Sequence, residues 1–272
     1  RVKVVKKDVD SFVLPHLRTI KTFDAAEPLE RMAAQAGIPA DKVIRLNANE
    51  NPYGPSPKVA KALAGLSTEI YPDPLQRALR QAIGDYYGVH SERVIAGAGS
   101  GQLIDLLFRL FVSPGDRVLD CDPTFGMYAF CAAIAGAEVK SVPRDANFEI
   151  DVRGVEEAVN SRTKIVFINS PNNPTGNPVG EEQVRALLET GLIVAVDEAY
   201  YEFYGETAAG LLTEYENLVV LRTFSKWAAL AGLRVGYGFM SPGLVSRIIS
   251  IKSPYNVNSA AEAAALASLE DA

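Results

Sequence analysis

Up to about residue 55 the apolar positions follow no regular period, except for an amphipathic stretch over residues 28–36 that predicts a helix. The run Asn47-Ala-Asn-Glu-Asn-Pro-Tyr-Gly-Pro-Ser-Pro57 reads as loop from its Asn, Gly and Pro content. From Arg77 onward a regular alternation sets in. Val94-Ile-Ala predicts a short strand and leads into Gly97-Ala-Gly-Ser-Gly101, after which Leu103, Leu106, Leu107 and Leu110 recur at helical spacing. Residues 117–121 predict a strand and Met127–Ala135 a helix. Further short buried strands are predicted over residues 138–142, 164–169, 192–196, 217–221 and 235–240, with helices over 152–159 and 181–190 among them and an alanine-rich helix from Asn258 to the end. Short strands spaced by amphipathic helices predict an α/β fold, a mostly parallel sheet with helices on both faces.

Composition narrows the reading. A chain of 272 residues can bury one large core, or one large domain with a small appendage. The formal net charge of −6 argues against a nucleic-acid surface or an anionic membrane as partner, though a small anion can still be held by local donors. Cys121 and Cys131 form no CxxC pair and read as small core residues, and with His16 and His90 as the only histidines no zinc site is expected. The N-terminal Arg-Val-Lys-Val-Val-Lys-Lys-Asp8 has no apolar stretch of signal-peptide length, and no segment approaches a transmembrane helix. A cytoplasmic protein is the expectation.

Four clusters stand out at predicted strand ends, where ligands of open α/β sheets bind. Gly97-Ala-Gly-Ser-Gly101 opens a helix, so it is either an anion cradle or a tight turn; a dinucleotide fingerprint would need glycine where the chain has Gln102. Ser170-Pro-Asn-Asn-Pro-Thr-Gly176 is a proline-rich turn whose asparagines can also hydrogen-bond a ligand oxygen. Asp197 ends a buried run, so its carboxylate needs a positive partner, either a ligand's protonated ring nitrogen or a structural arginine, while Glu198 can be an ordinary ion-pair residue. In Thr223-Phe-Ser-Lys226, followed by Ala231-Gly-Leu-Arg-Val-Gly236, a desolvated lysine is a usable nucleophile and Arg234 can grip a phosphate; singly, each can equally be a surface cation. Together the four supply partners for the phosphate, ring nitrogen, ring hydroxyl and aldehyde carbon of pyridoxal phosphate.

These phrases, with Leu46-Asn-Ala-Asn-Glu-Asn-Pro-Tyr-Gly54, Tyr71-Pro-Asp and Pro123-Thr-Phe-Gly-Met-Tyr128, closely resemble fold-type-I pyridoxal-phosphate enzymes and, within them, the histidinol-phosphate aminotransferase family. The likeness runs from about Ile44 to the end of the chain. It implies that Lys226 carries the cofactor and moves the substrate's α-proton, and that Asp197 holds the ring nitrogen protonated. It implies further that Asn173 and Tyr200 bond the ring hydroxyl, that Phe125 stacks on the ring, and that Ser100, Gly101, Thr223, Ser225 and Arg234 hold the phosphate. Tyr71 is expected to reach the cofactor phosphate of a partner subunit, making a homodimer, and Asn49 and Tyr255 are candidate substrate contacts.

The resemblance divides the chain into an N-terminal arm and substrate loop, 1–55, and a cofactor-binding large domain, 56–272. The family's small C-terminal domain, which supplies an arginine for the substrate's anionic group, has no counterpart before Ala272, so the cofactor site is expected to be complete and the substrate site not. The implied reaction is transamination between histidinol phosphate and 2-oxoglutarate. The alternatives are an aromatic amino-acid aminotransferase, a threonine-phosphate decarboxylase, and a cofactor-binding remnant without turnover.

Overall fold

The computed structural model describes residues 8–272. The basic N-terminal run read above for targeting signals lies, apart from Asp8, outside them. Among the described residues seven strands are formed: β1 Val94–Gly97, β2 Arg117–Asp122, β3 Glu138–Pro143, β4 Thr163–Asn169, β5 Ile193–Asp197, β6 Leu218–Thr223 and β7 Gly236–Met240. They lie side by side in the order β1-β7-β6-β5-β4-β2-β3. Every pairing is parallel except the two made by β7, which runs antiparallel between β1 and β6. The predicted mostly parallel sheet is therefore present, with one reversed strand inside it.

The helices that accompany the sheet among the described residues are α1 Leu29–Ala36, α2 Pro57–Ala64, α3 Arg77–Tyr87, α4 Ser100–Phe111, α5 Met127–Ala135, α6 Val152–Ala158, α7 Glu181–Leu188, the single turn α8 Tyr201–Tyr204, α9 Pro242–Ile251 and α10 Ser259–Leu269. Alternate residues of each strand face opposite ways, and this divides the core in two. Val94, Ala96, Val166, Ile168, Val194 and Val196 pack against α2, α3, α6, α7 and α10, whereas Ile95, Ile165, Phe167, Ala195 and Val219 pack against α4, α5 and α9. Both faces are covered, which is why the central strands read as unbroken apolar runs. The strand at 138–142 departs from the buried strand expected there. It is the sheet edge, exposed at Glu138 and Lys140, with Val142 its one buried residue.

Residues 8–55 are irregular as expected, apart from α1 and short 3-10 turns at Val9–Phe12, Pro15–Leu17 and Ala40–Lys42. Cys121 and Cys131 are free and buried, and burial pushes both thiols up to about 12. Among the described residues there is no cluster of metal-ligating side chains, and no helix is long and apolar enough to cross a membrane.

The reversed strand decides where the functional loops meet. Gly236 opens β7 and pairs with Gly97 at the end of β1 and with Thr223 at the end of β6. The start of β7 thus shares the carboxyl-terminal edge of the sheet, where its antiparallel neighbours β1 and β6 finish. The approach is close: a β-carbon on Gly236 would lie 2.7 Å from the Gly99 carbonyl carbon, 3.0 Å from the Arg222 oxygen and closer still to the Ser100 nitrogen. Backbone cannot swing aside as a side chain can. Gly236→Ala is therefore expected to lower stability by about 1–3 kcal/mol, the usual cost of overpacking, measured by urea unfolding; an unchanged midpoint would mean that the α4 entrance is free to move.

Candidate active site

All four clusters singled out in the sequence fall at this edge. A cleft of about 700 Å³ opens there, lined by Asn169, Asn173, Tyr200, Lys226 and Arg234 from strand ends and by Phe23–Ala26, Asn47–Asn49 and Phe125 from the arm and the β2–α5 loop. The volume lies in the range of small-molecule sites.

Lys226 lies just beyond β6. Its Nζ donates to the carbonyl oxygens of Ala48 and Asn49, 3.1 Å each, so the arm loop covers the amine. Burial lowers its pKa and Arg234 lowers it further, with Glu50 and Asp197 opposing. Asn49 takes the left-handed backbone that asparagine tolerates, φ 49°. Its amide donates to the Tyr200 hydroxyl at 2.9 Å, so one loop meets both the lysine and the tyrosine. Burial raises the Tyr200 pKa.

Asp197 and Glu198, adjacent at the end of β5, are both 1% exposed but have different surroundings. Glu198 takes the structural arginine. Arg222 donates to it at 2.8 and 3.0 Å, with Thr207 and the Ala208 nitrogen completing the site, and the guanidinium lies 3.4 Å from the Tyr201 ring centroid. Asp197 accepts from the Tyr128 hydroxyl at 2.9 Å and from the Ala199 nitrogen at 3.2 Å, and among the described residues no arginine or lysine forms an ion pair with it. Burial raises its pKa to about 6, against the pull of those two hydrogen bonds.

The Ser170–Gly176 turn is held by two asparagines: Asn169, which sequence reasoning left without a role, and Asn172, which it offered with Asn173 as a ligand contact. Asn169 donates to the Asp197 carbonyl at 3.0 Å and accepts from the Asn173 nitrogen, joining the two strand ends. Asn172 bonds Thr124, Pro123 and Thr175, and so ties the loop carrying Phe125 to the same turn. The phrases were visible in the sequence, but which asparagine faces the cleft and which faces a neighbouring loop is decided by packing.

Beside Arg234, which lines the cleft, α4 begins after Gly99 without a side-chain cap, leaving first-turn N–H groups at Ser100 and Gly101 that can serve an anion. Gly99 has φ 80°, and a β-carbon there would lie 2.5 Å from Nη2 of Arg234. Arg234 is itself left-handed, φ 56°, a conformation costing a non-glycine residue roughly 1–2 kcal/mol. Thr223 and Ser225 are buried beside it, their hydroxyls 2.9 Å apart.

Two named residues lie elsewhere in the chain. Tyr71 stacks on Tyr255, centroids 4.4 Å apart, in a second cleft of about 570 Å³ bordered by Ile70, Pro72 and Ser259. Tyr71 is 76% exposed. Neither ring lines the Lys226 cleft of its own chain. Phe23 does, and contacts Phe125 edge-on at 6.4 Å; it gave no motif signal because the arm has no regular pattern.

Residues 41–272 match the family model described as aminotransferase class I and II. The chain is 47% identical to the histidinol-phosphate aminotransferase of Roseiflexus castenholzii over 97% of its own length and 73% of that protein's. It is 44% identical to the chloroplastic histidinol-phosphate aminotransferase 1 of Arabidopsis thaliana over 96% of its length, spanning 64% of that protein. The crystal structure of histidinol-phosphate aminotransferase from Sinorhizobium meliloti, in complex with pyridoxal-5′-phosphate, superposes with a TM-score of 0.86 at 27% identity, over 96% of this chain and 71% of that one.

The raised pKa of Asp197 has a signed consequence. Because the folded value, about 6, exceeds the unfolded value, 3.8, the cofactor-free fold prefers the protonated acid. Stability from this group is complete below the unfolded pKa and is lost as pH rises through the folded one. Asp197→Asn removes the penalty, so the variant's advantage in Tm over the parent should grow between pH 4 and roughly pH 7 and then level off. An advantage independent of pH would show that Asp197 is ionised without cost.

Proposed function

Because the chain belongs to the aminotransferase class I and II family, in its histidinol-phosphate aminotransferase branch, we propose that it is a pyridoxal-phosphate-dependent transaminase exchanging histidinol phosphate and 2-oxoglutarate for imidazole-acetol phosphate and glutamate. The observation that carries the reading is the buried Asp197 carboxylate, which among the described residues has no cation paired with it while its neighbour Glu198 has taken the arginine. A protonated ring nitrogen is a partner of the required charge. The remaining residues fit the same group. Arg234, the open start of α4, Thr223 and Ser225 suit a phosphate; Asn173 and Tyr200 suit the ring hydroxyl; Phe125 suits the ring face; Lys226 suits the aldehyde. When bound, the cofactor supplies an electron sink for the bonds at the substrate's α-carbon.

The chain's own residues do the rest. Burial and Arg234 keep more of the Lys226 amine neutral at physiological pH, so it can take the α-proton and return it. Before substrate enters, the Ala48 and Asn49 carbonyls hold that amine, and the Asn49–Tyr200 bond holds the loop over it. Phe23 and Phe125 give the cleft flat apolar walls that suit an imidazole ring. Tyr71, exposed and outside its own cleft, is free to serve a partner's phosphate, and the proposal therefore takes a homodimer as the working unit. Two free thiols suit a reducing compartment such as the cytoplasm.

The test is spectroscopic. With pyridoxal phosphate, glutamate should convert the absorbance to that of the pyridoxamine form, and imidazole-acetol phosphate should reverse it. No conversion would overturn transamination, and release of carbon dioxide from threonine phosphate would redirect it to decarboxylation. Borohydride reduction and peptide mapping should place the pyridoxyl group on Lys226; a label on Lys164 or Lys252 would refute that assignment. Arg234→Ala should raise the Kd for pyridoxal phosphate about tenfold or more, since a charge-assisted hydrogen bond is worth about 1.5–3 kcal/mol. Equal affinity in titrations of variant and parent would make the arginine structural.

A further inference from the structure

Behind the Gly97–Gly101 turn a line of carboxamides, Gln76 buried and Asn256 and Gln102 half-buried, runs towards the Tyr71–Tyr255 cleft. Gln102, in the first turn of α4, folds back so that its Oε1 accepts from the Ala98 nitrogen at 2.8 Å. The same oxygen accepts from Nδ2 of Asn256 at 2.8 Å, and that Nδ2 also donates to the Ala96 carbonyl at 3.2 Å. On its other side Oδ1 of Asn256 accepts from Nζ of Lys252 at 2.9 Å and from Nε2 of Gln76 at 3.2 Å. The orientation of the Asn256 amide is set by its surroundings: an ammonium can only donate and a carbonyl can only accept, so oxygen must face Lys252 and nitrogen Ala96.

The anchors are costly to place. Lys252 is 8% exposed, its ammonium also bonded to the Pro74 carbonyl at 2.7 Å, and Gln76 is fully buried in a left-handed conformation, φ 48°. Gly97 leaves the room that Gln102 needs, since a β-carbon there would lie 3.3 Å from Oε1. Nothing in this line reaches the Lys226 cleft, yet it grips the turn at Ala96, Ala98 and Gln102, on either side of the backbone that offers N–H groups at Ser100 and Gly101.

We propose that Asn256 and Gln102 are positioning residues for the cofactor phosphate, acting by fixing the Gly97–Gly101 turn against the Lys252–Asn256 segment. The proposal rests on the reading above that this turn takes the phosphate. Removing the clamp should leave the ring contacts at Asp197, Asn173 and Lys226 in place and loosen the phosphate alone.

The experiment compares pyridoxal phosphate with pyridoxal, which lacks the phosphate, by titrating the cofactor-free chain and its variants Asn256→Leu and Gln102→Met, both uncharged. In each variant the Kd for pyridoxal phosphate should rise about tenfold while that for pyridoxal stays within about twofold. An equal loss for both ligands would reduce the clamp to a structural role and overturn the proposal, as would no loss for either. If Asn256→Leu does not fold, judged by circular dichroism, Gln102→Met, whose side chain is only partly buried, decides alone. A parent chain that binds the two ligands equally would instead refute the assignment of the phosphate to this turn, and this inference with it.

Discussion

Of the two adjacent carboxylates at the end of β5, only Glu198 is paired with an arginine among the described residues, and the arrangement of the site follows from that. Arg222 rises from β6 on the side of Glu198, where Tyr201 and Thr207 complete its surroundings. Burying a guanidinium and a carboxylate together is tolerable only when both are hydrogen-bonded, and here both are. Asp197 points the opposite way, towards Tyr128, with a hydroxyl and a backbone N–H for company. Two hydrogen bonds do not offset the desolvation of a charge, so its pKa rises. A fold that leaves a carboxylate in this condition favours any ligand that brings a positive charge to it.

The loops around Asp197 are tied to one another by side-chain amides. Asn169 joins the ends of β4 and β5, Asn172 joins the β2–α5 loop to the Ser170–Gly176 turn, and Asn49 joins the arm to Tyr200. Side-chain amides suit this task because each can donate and accept at once. Such cross-links hold loops near a fixed geometry without an apolar core beneath them, and a bound group can then meet donors already in place. The arm belongs to the same system, for residues 23–26 and 47–49 form one wall of the cleft although they lie outside the sheet.

What the sequence by itself determined was the periodic part and the chemistry at its margins. Buried strands and amphipathic helices were legible because each repeats its own period, and Asp197 and the phrases carrying Asn173, Lys226 and Arg234 stood out because unusual residues follow apolar runs closely. The tertiary structure decided three things that local pattern does not contain. It reversed β7, which placed Arg234 beside Gly99 although the two lie far apart in the chain; strand direction leaves no mark on alternation. It put residues 138–143 at the sheet edge, where a strand-forming sequence stays exposed. It assigned Arg222 to Glu198 and, among the described residues, no arginine to Asp197, and it gave Asn169, Asn172 and the Gln102–Asn256 pair their partners. Hydrogen bonds between residues remote in sequence depend on direction and distance in space, and neither is written in the order of residue types.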